Sequence, residues 1–412
     1  MATVLRKEYI IDTIKRQKDI LKLIHSLDIT PTMYKNAVDK YKALAKLLQS
    51  NGIECDIYPQ GSFATGTMVR PIGKDSYDLD VICELAVPKA DTTAREIKES
   101  VGEIITDYEK YDNVIEYDKC WTIDYAEISG CGFSIDVVPA VDEDRASKGI
   151  LINKSPFNKD LVPLSVAITK KTEETYRWST SNPKGYTEWF NRINMPFREH
   201  NRQNRRMQIF ERYRYVYDSV EEVPEMMERS ALQVAIQILR RHRDVYFSNK
   251  RNGKNIRPAS VLIRTIAAKI AESAPSHYNV FQLLSYITKE LSIYSELSTV
   301  AQIRFSQKYA NKNLISRPNG KWELPNPVNV DDNLVDSWNE DSEKAPAFFR
   351  WLAVVIEDFA VINTGEDSDF LVMVENAFGR GFVKDSKLFE GYSTNKSFSS
   401  PNPVQPAKPW RY

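Results

Sequence analysis

The chain has 412 residues, 42% of them hydrophobic, 11% aromatic and 27% charged, which excludes a disordered or fibrous protein and allows two or more lobes with sizeable cores. Its 56 basic and 56 acidic residues cancel. No average field therefore drives it onto a nucleic acid or an anionic membrane, and any polyanion site must be local.

The first residues are charged throughout and lack the apolar stretch of a signal peptide. Apolar positions at helical spacing predict helices over 7–27 and 31–50, with Asp28 or Thr30 as cap and Thr30-Pro31 opening the second. After Ser50-Asn51-Gly52 the pattern turns to β-rich runs at 54–60, 79–87, 114–128 and 132–141, with a Glu- and Lys-rich helix at 92–110 between the second and third. From about 184 the strands give out. Helical periodicity then covers 186–194, 226–247, 258–272, 278–295, 344–363 and 368–379.

The most apolar run, 348–362, is short for a membrane span and carries Arg350, Glu357 and Asp358. Cys55, Cys83, Cys120 and Cys131 show no CxxC spacing, and the four histidines lie away from them, so neither a zinc site nor a disulfide framework is expected. A reducing cytoplasm follows as the expected location. Basic residues crowd at 198–217 and 240–258. They read first as solvated helix faces, with local polyanion binding as the alternative, better supported in the second run because it flanks an apolar helix. The expected organisation is a mixed-sheet core with N-terminal bracing helices over 1–183, a helical lobe over 184–390 and a proline-rich tail over 391–412.

Two carboxylates stand out in the strand run at 79–87 and its approach. Side chains alternate faces along a strand, so Asp78 and Asp80 share one face while Leu79 and Val81 point to the core. Acids held that close raise each other's pKa unless a cation lies between them, which makes a divalent metal the natural occupant. Asp136, in the apolar frame "FSIDVVPA", supplies a third acid from another strand. Three such carboxylates suit two magnesium or manganese ions, one activating an attacking hydroxyl and one carrying a triphosphate. Taken singly, a D-x-D strand is more often a solvated edge and a lone buried Asp a hydrogen-bonded core residue. Their order along the chain, after a Gly61-Ser62 turn, changes that balance. Glycine lets backbone amides approach a phosphate closely, and the serine hydroxyl adds a donor. No Walker-type loop is present.

In this order the residues resemble the nucleotidyltransferase superfamily of DNA polymerase β. More closely, "PQGSFATGTMVRPIGKDSYDLDVICEL", "SIDVVPA", "NPKGYTEWF", "LQVAIQILRRHRDVYF" and "RPASVLIRTIAA" resemble the bacterial cGAS/DncV-like nucleotidyltransferases, the cyclic-oligonucleotide synthases of CBASS anti-phage systems. The fifteen residues between Ser62 and Asp78 favour that branch over antibiotic-modifying relatives. The resemblance implies an α+β fold in which a polymerase β-like lobe packs against a helical lobe, with the active site in the cleft between. It also implies metal binding by Asp78, Asp80 and Asp136, donor triphosphate binding by Gly61 and Ser62, and further nucleotide contacts from Gln60, Ser260 and one of Arg240 or Arg241. Nucleoside triphosphates, ATP foremost, would be the substrates. A cyclic-nucleotide-responsive effector and regulatory CBASS proteins would be the partners, without a membrane. A nucleic-acid activator stays open. The alternatives are a linear oligonucleotide or nucleotide-adding transferase, and a catalytically silent nucleotide- or RNA-binding module. The tail end "WRY" departs from the small terminal residue of relatives whose C-termini are conjugated to targets.

Overall fold

A computed structural model describes residues 2–392 apart from 73–75, 129–130, 174, 201, 218 and 222–226. The proline-rich tail, expected to be extended or laid along the surface, lies outside the described residues. The elements in order are α1 (Ala2–His25), α2 (Pro31–Ser50), β1 (Cys55–Pro59), α3 (Gly61–Ala64), β2 (Ser76–Leu85), α4 (Ala94–Thr106), β3 (Val114–Glu116), β4 (Trp121–Ile128), β5 (Cys131–Asp142) and α5 (Arg145–Lys154). Next come β6 (Val166–Lys171), β7 (Tyr176–Ser181), α6 (Pro183–Glu199), α7 (Arg202–Arg212), α8 (Ala231–Ser248), α9 (Gly253–Ile256), α10 (Ser260–Ala271), α11 (Val280–Ser292) and α12 (Gln302–Lys308). The chain closes with β8 (Pro325–Asn326), β9 (Asn329–Asn333), α13 (Asp336–Glu340), α14 (Lys344–Thr364), α15 (Asp367–Phe378) and α16 (Arg380–Asp385).

Local chemistry sets the helix starts. Thr30 accepts from Met33 N ahead of Pro31, which needs no amide partner at that position. Thr93 and Glu96 form a reciprocal capping box on α4, as do Ser230 and Gln233 on α8. That cap places the start of α8 at Ala231 rather than at 226. α6 runs from Pro183 to Glu199, longer at both ends than its periodic stretch, because Asn182 caps it and Pro196 is tolerated in its closing turn.

One mixed seven-stranded sheet carries the first lobe, in the order β1-β2-β5-β4-β3, with β6 on the far end of β5 and β7 beyond it. β2 and β5 run parallel and the other pairs antiparallel. The run at 114–128 is a hairpin of two strands rather than one. β6, β7 and the small β8–β9 pair were not visible as strands, and the last of these corrects the expectation that strands end at 184.

Alternation sorts the sheet faces. Tyr77, Leu79, Val81 and Cys83 of β2, with Phe133, Ile135 and Val137 of β5, enter a core closed by α2 and α4. The helical core gathers around α8, α10, α11, α14 and α15, and it also takes Ile20, Leu23, Ile24 and Leu27 from the first helix and its end. The two N-terminal helices therefore brace different lobes, α2 the sheet and α1 the helices.

The lobes are pinned to each other on two flanks. On one, α8 grips the backbone of the strap after α3. Gln233 Nε2 donates to Thr65 O (2.9 Å), Gln237 Nε2 to Met68 O (2.8 Å), Arg240 to Thr67 O and Arg241 Nη1 to Arg70 O (3.2 Å). On the other, the β8–β9 hairpin is held by Asn158 to Pro327 O (2.9 Å), Asn182 to Val328 O (3.3 Å) and Lys154 to Asp331 (2.9 Å).

Candidate active site

Between these flanks opens a cleft of about 1030 Å³. Parallel pairing of β2 with β5 puts Asp80 directly beside Asp136, and Asp78 beside Ser134. β4 continues the rows, with Thr122 opposite Asp136 and Asp124 opposite Ser134. Residues in register on neighbouring strands share a face, so the three predicted acids stand together on the side away from the core. Further along that face Ile82, Val138 and Ala140 are buried, leaving the acids at the margin between an apolar patch and the cleft.

Hydroxyls hold the carboxylates in place. Ser134 Oγ donates to Asp78 Oδ1 at 2.8 Å and Thr122 Oγ1 to Asp136 Oδ1 at 2.5 Å. Burial, then Asp136 and Asp78, push Asp80 up to about 6, against the pull of Arg264 and Arg240. Burial also raises Asp136, with Asp78 and Asp124 adding to it and the Thr122 hydrogen bond opposing. This is under-neutralised negative charge in partly dry surroundings.

Gly61 lies in the left-handed region at φ +64°, and a Cβ there would meet Asp80 Oδ2 at 2.5 Å. Only glycine allows the turn to press its backbone against the carboxylates. Gln60 N donates to Asp80 O (2.8 Å), which anchors the turn to the strand carrying the acids. Gln60, Gly61 and Ser62 all line the cleft.

The opposing wall is basic. Arg240 and Arg243 of α8, Ser260 and Arg264 of α10, and Lys254 and Arg257 between those helices line it. Arg240 is pushed down to about 9 by burial and by Arg243 and Arg264, and its Nε is buried without a hydrogen-bond partner. Arg243 Nη1 donates to Pro258 O (2.8 Å) and Ser260 Oγ (3.1 Å), and burial lowers it too. Arg264, 5% exposed, donates through Nε to Tyr186 Oη at 3.2 Å. Asp244, also on this wall, meets Arg243 at 2.6 Å, while Arg240 and Arg264 repel each other and suit an anion with several charges.

Of the residues singled out in the sequence, Asp78, Asp80, Asp136, Gln60, Gly61, Ser62, Arg240 and Ser260 share this cleft. Arg241 does not. Its side chain leaves α8 on another face, donates to Phe378 O (2.9 Å) and Arg70 O, and lies over the Phe382 ring. Arg264, Arg243 and Tyr117 went unnoticed in the sequence. Arg264 follows Ser260 by one helical turn in an otherwise apolar run, and that spacing was the available sign.

The second basic run behaves as this wall, whereas the first is largely satisfied internally. Arg202 and Arg206 of α7 converge on Glu228, whose side chain is fully buried, at 2.8 Å each. Arg205 donates to the carbonyls of Arg198 and His200.

Among the described residues, no three His, Cys, Asp or Glu side chains already form a closed metal-ligand set. The donors nevertheless suit a hard divalent cation. They are all carboxylate oxygens, Asp80 and Asp136 stand in register with Asp78 on the same face, and Asp80 and Asp136 are raised first by burial and then by neighbouring carboxylates. No helix among the described residues is long and apolar enough to cross a membrane.

Residues 14–194 match the Second Messenger Oligonucleotide or Dinucleotide Synthetase domain. The c-di-GMP synthase of Roseivirga ehrenbergii is 26% identical over 343 residues, 81% of this chain and 76% of its own. Among solved structures, CdnG of Bradyrhizobium diazoefficiens in complex with GTP superposes with a TM-score of 0.63 at 20% identity, covering 92% of this chain and 99% of the other. The E. coli MS115-1 CdnC:HORMA-deltaN complex gives 0.55 at 12% identity over 88% and 96%. Architecture and cleft agree with these likenesses: residues 14–194 match a second-messenger synthetase domain, and the chain as a whole is similar in sequence to a c-di-GMP synthase and in fold to CdnG, with a mixed-sheet lobe packed on a helical one.

Proposed function

We propose that this cleft joins nucleoside triphosphates into a cyclic di- or trinucleotide, with release of pyrophosphate at each bond, as a second messenger of bacterial anti-phage defence. The observation that carries the reading is the register of Asp80 beside Asp136, with Asp78 next to them, facing Arg240, Arg243 and Arg264 across one cleft. The c-di-GMP synthase relative and a CdnG structure holding GTP support nucleotide substrates. The CdnC:HORMA-deltaN complex supports a regulatory protein partner.

Asp78, Asp80 and Asp136 would hold two Mg²⁺ or Mn²⁺ ions. When bound, such ions neutralise the triphosphate and lower the pKa of an attacking hydroxyl. Gly61, Ser62 and Gln60 hold the donor triphosphate against the sheet lobe while Arg240 and Ser260 meet it from the helical lobe. With Thr122 on Asp136 Oδ1, Oδ2 is left to orient the ribose hydroxyl of the acceptor, and its raised pKa suits it to take that proton. The hydroxyl oxygen bonds to the α-phosphorus, the bond from that phosphorus to the bridging oxygen breaks, and pyrophosphate leaves toward the arginines. After one such addition for a dinucleotide, or two for a trinucleotide, attack by the free hydroxyl of the linear product on its own remaining triphosphate closes the ring and releases the last pyrophosphate.

The test is incubation of the protein with all four nucleoside triphosphates and Mg²⁺ or Mn²⁺, phosphatase treatment, and mass spectrometry. A phosphatase-resistant species at a cyclic oligonucleotide mass, absent from the Asp78→Asn, Asp80→Asn double variant, is the expected result. Linear products alone would convert the reading to a tailing enzyme. Internal satisfaction of the α7 arginines leaves little to favour a silent RNA-binding module.

A further inference from the structure

Tyr117 stands at the rim of the cleft beside the acids, at the turn joining β3 to β4, and is 54% exposed. Exposed aromatics on mobile loops need no explanation, but this turn is held firmly. Tyr117 N donates to Cys120 O at 2.9 Å, and Lys171 N donates to Asp118 O at 2.8 Å. From beneath, Lys98 of α4, 0% exposed, donates its ammonium to Tyr117 O. The same ammonium lies 3.8 Å from Glu116, which pairs with Lys171 at 2.6 Å. Trp121 Nε1 in turn donates to Lys98 O at 3.0 Å, locking the helix to the hairpin. A fully buried lysine is costly unless its charge is satisfied, and here it is spent on one carbonyl and one carboxylate that fix this turn. The result is a rigid backbone presenting a largely uncovered phenol ring to the cleft.

We infer that Tyr117 is a stacking platform for the base of the acceptor nucleotide, the one whose ribose hydroxyl attacks. This rests on the nucleotidyltransferase reading of the cleft. The side is set by neighbours. β4 leaves the turn at Trp121, and the next residue, Thr122, pairs with Asp136 and donates to its Oδ1 at 2.5 Å, which places the turn next to the acid assigned to the attacking hydroxyl. Gly61, Ser62, Arg240 and Ser260 lie toward the donor triphosphate. A phenol ring stacks on any base, because every base offers a π-face. Tyr117 therefore supplies affinity without choosing between purines, and base selection belongs to other cleft side chains.

The experiment compares wild type, Tyr117→Ala and Tyr117→Phe in the presence of Mg²⁺. Calorimetry is run with the α,β-methylene analogues of GTP and ATP, and separately with tripolyphosphate, which has the charge but no base. Initial rates with GTP and ATP give KM and kcat. For Tyr117→Ala the expected outcome is about a tenfold loss of nucleotide affinity and a similar rise in KM. Tripolyphosphate binding should stay within about twofold of wild type, and Tyr117→Phe should recover most of the loss. Nucleotide binding by Tyr117→Ala equal to wild type would overturn the inference while leaving the cleft's function intact. Equal weakening of tripolyphosphate would overturn it as well, by showing a distorted cleft in place of lost stacking. A wild-type protein that binds tripolyphosphate and neither analogue would overturn the nucleotidyltransferase reading together with this one.

Discussion

Replacing Asp80 with asparagine should make the metal-free protein more stable. Asp80 titrates near 6 in the folded protein against an ordinary 3.8. Between those values the folded state binds more protons than the unfolded one, so stability falls as pH rises and the penalty is complete above the folded pKa. At about 1.36 kcal/mol per pKa unit, a rise of roughly two units costs up to about 3 kcal/mol at pH 7.5. Asparagine keeps the shape and removes the charge. Taking about 2.1 cal/mol/K of unfolding entropy per residue, the chain carries about 0.9 kcal/mol/K, so Tm should rise by roughly 3 °C in EDTA at pH 7.5. The gain should shrink as pH falls through the folded value and vanish by about pH 3, where the wild-type carboxyl is protonated in both states. Added Mg²⁺ should stabilise the wild type and leave the variant nearly unmoved. Differential scanning calorimetry across pH, with and without Mg²⁺, reads all three effects. A variant less stable than wild type in EDTA at pH 7.5 would refute the argument that burial, with the neighbouring carboxylates, penalises the ionised form of Asp80.

Gly61→Ala should cut turnover at least 100-fold, because the added Cβ meets Asp80 Oδ2 and the left-handed backbone is strained; rate assays beside circular dichroism check that the fold survives. The acid limb of the pH–rate profile should lie near pH 6, reflecting the raised Asp80, and should move to lower pH as Mg²⁺ increases, because metal and proton compete for the same oxygens. A limb indifferent to Mg²⁺ would count against a carboxylate metal site. Arg202→Ala combined with Arg206→Ala should destabilise the protein by about 3–5 kcal/mol in urea unfolding, since it strands the fully buried Glu228; loss of activity without loss of stability would instead assign those arginines a binding role.

The acids and the glycine-serine turn were legible because their meaning is local. Alternation alone places Asp78 and Asp80 on one face, and an apolar frame marks Asp136 as a strand residue. What the sequence could not supply was the register that sets Asp80 beside Asp136, since strand pairing depends on the whole sheet. Arg240 and Arg241 could not be told apart for a similar reason. Neighbours on a helix point about 100° apart, and only the packing of α8 decides which one faces the cleft. Tyr117 was hidden by the break in a run that read as one strand, because the turn is stabilised by Lys98, distant in sequence. β6 and β7 escaped because their alternation is weak, β6 being buried at four successive positions.

The two seams between the lobes bear on how the enzyme meets its substrates. A cleft secured by α8 on one flank and the β8–β9 hairpin on the other is not a clamshell waiting to shut. Its carboxylates and arginines face each other across walls that these bonds tie together. A cleft tied in this way should need little binding energy for domain closure, leaving more for the transition state. Such preorganisation should appear in hydrogen exchange as amides of the strap and hairpin that are as protected without nucleotide as with it, and it moves the burden of control from closure of the cleft to access to it.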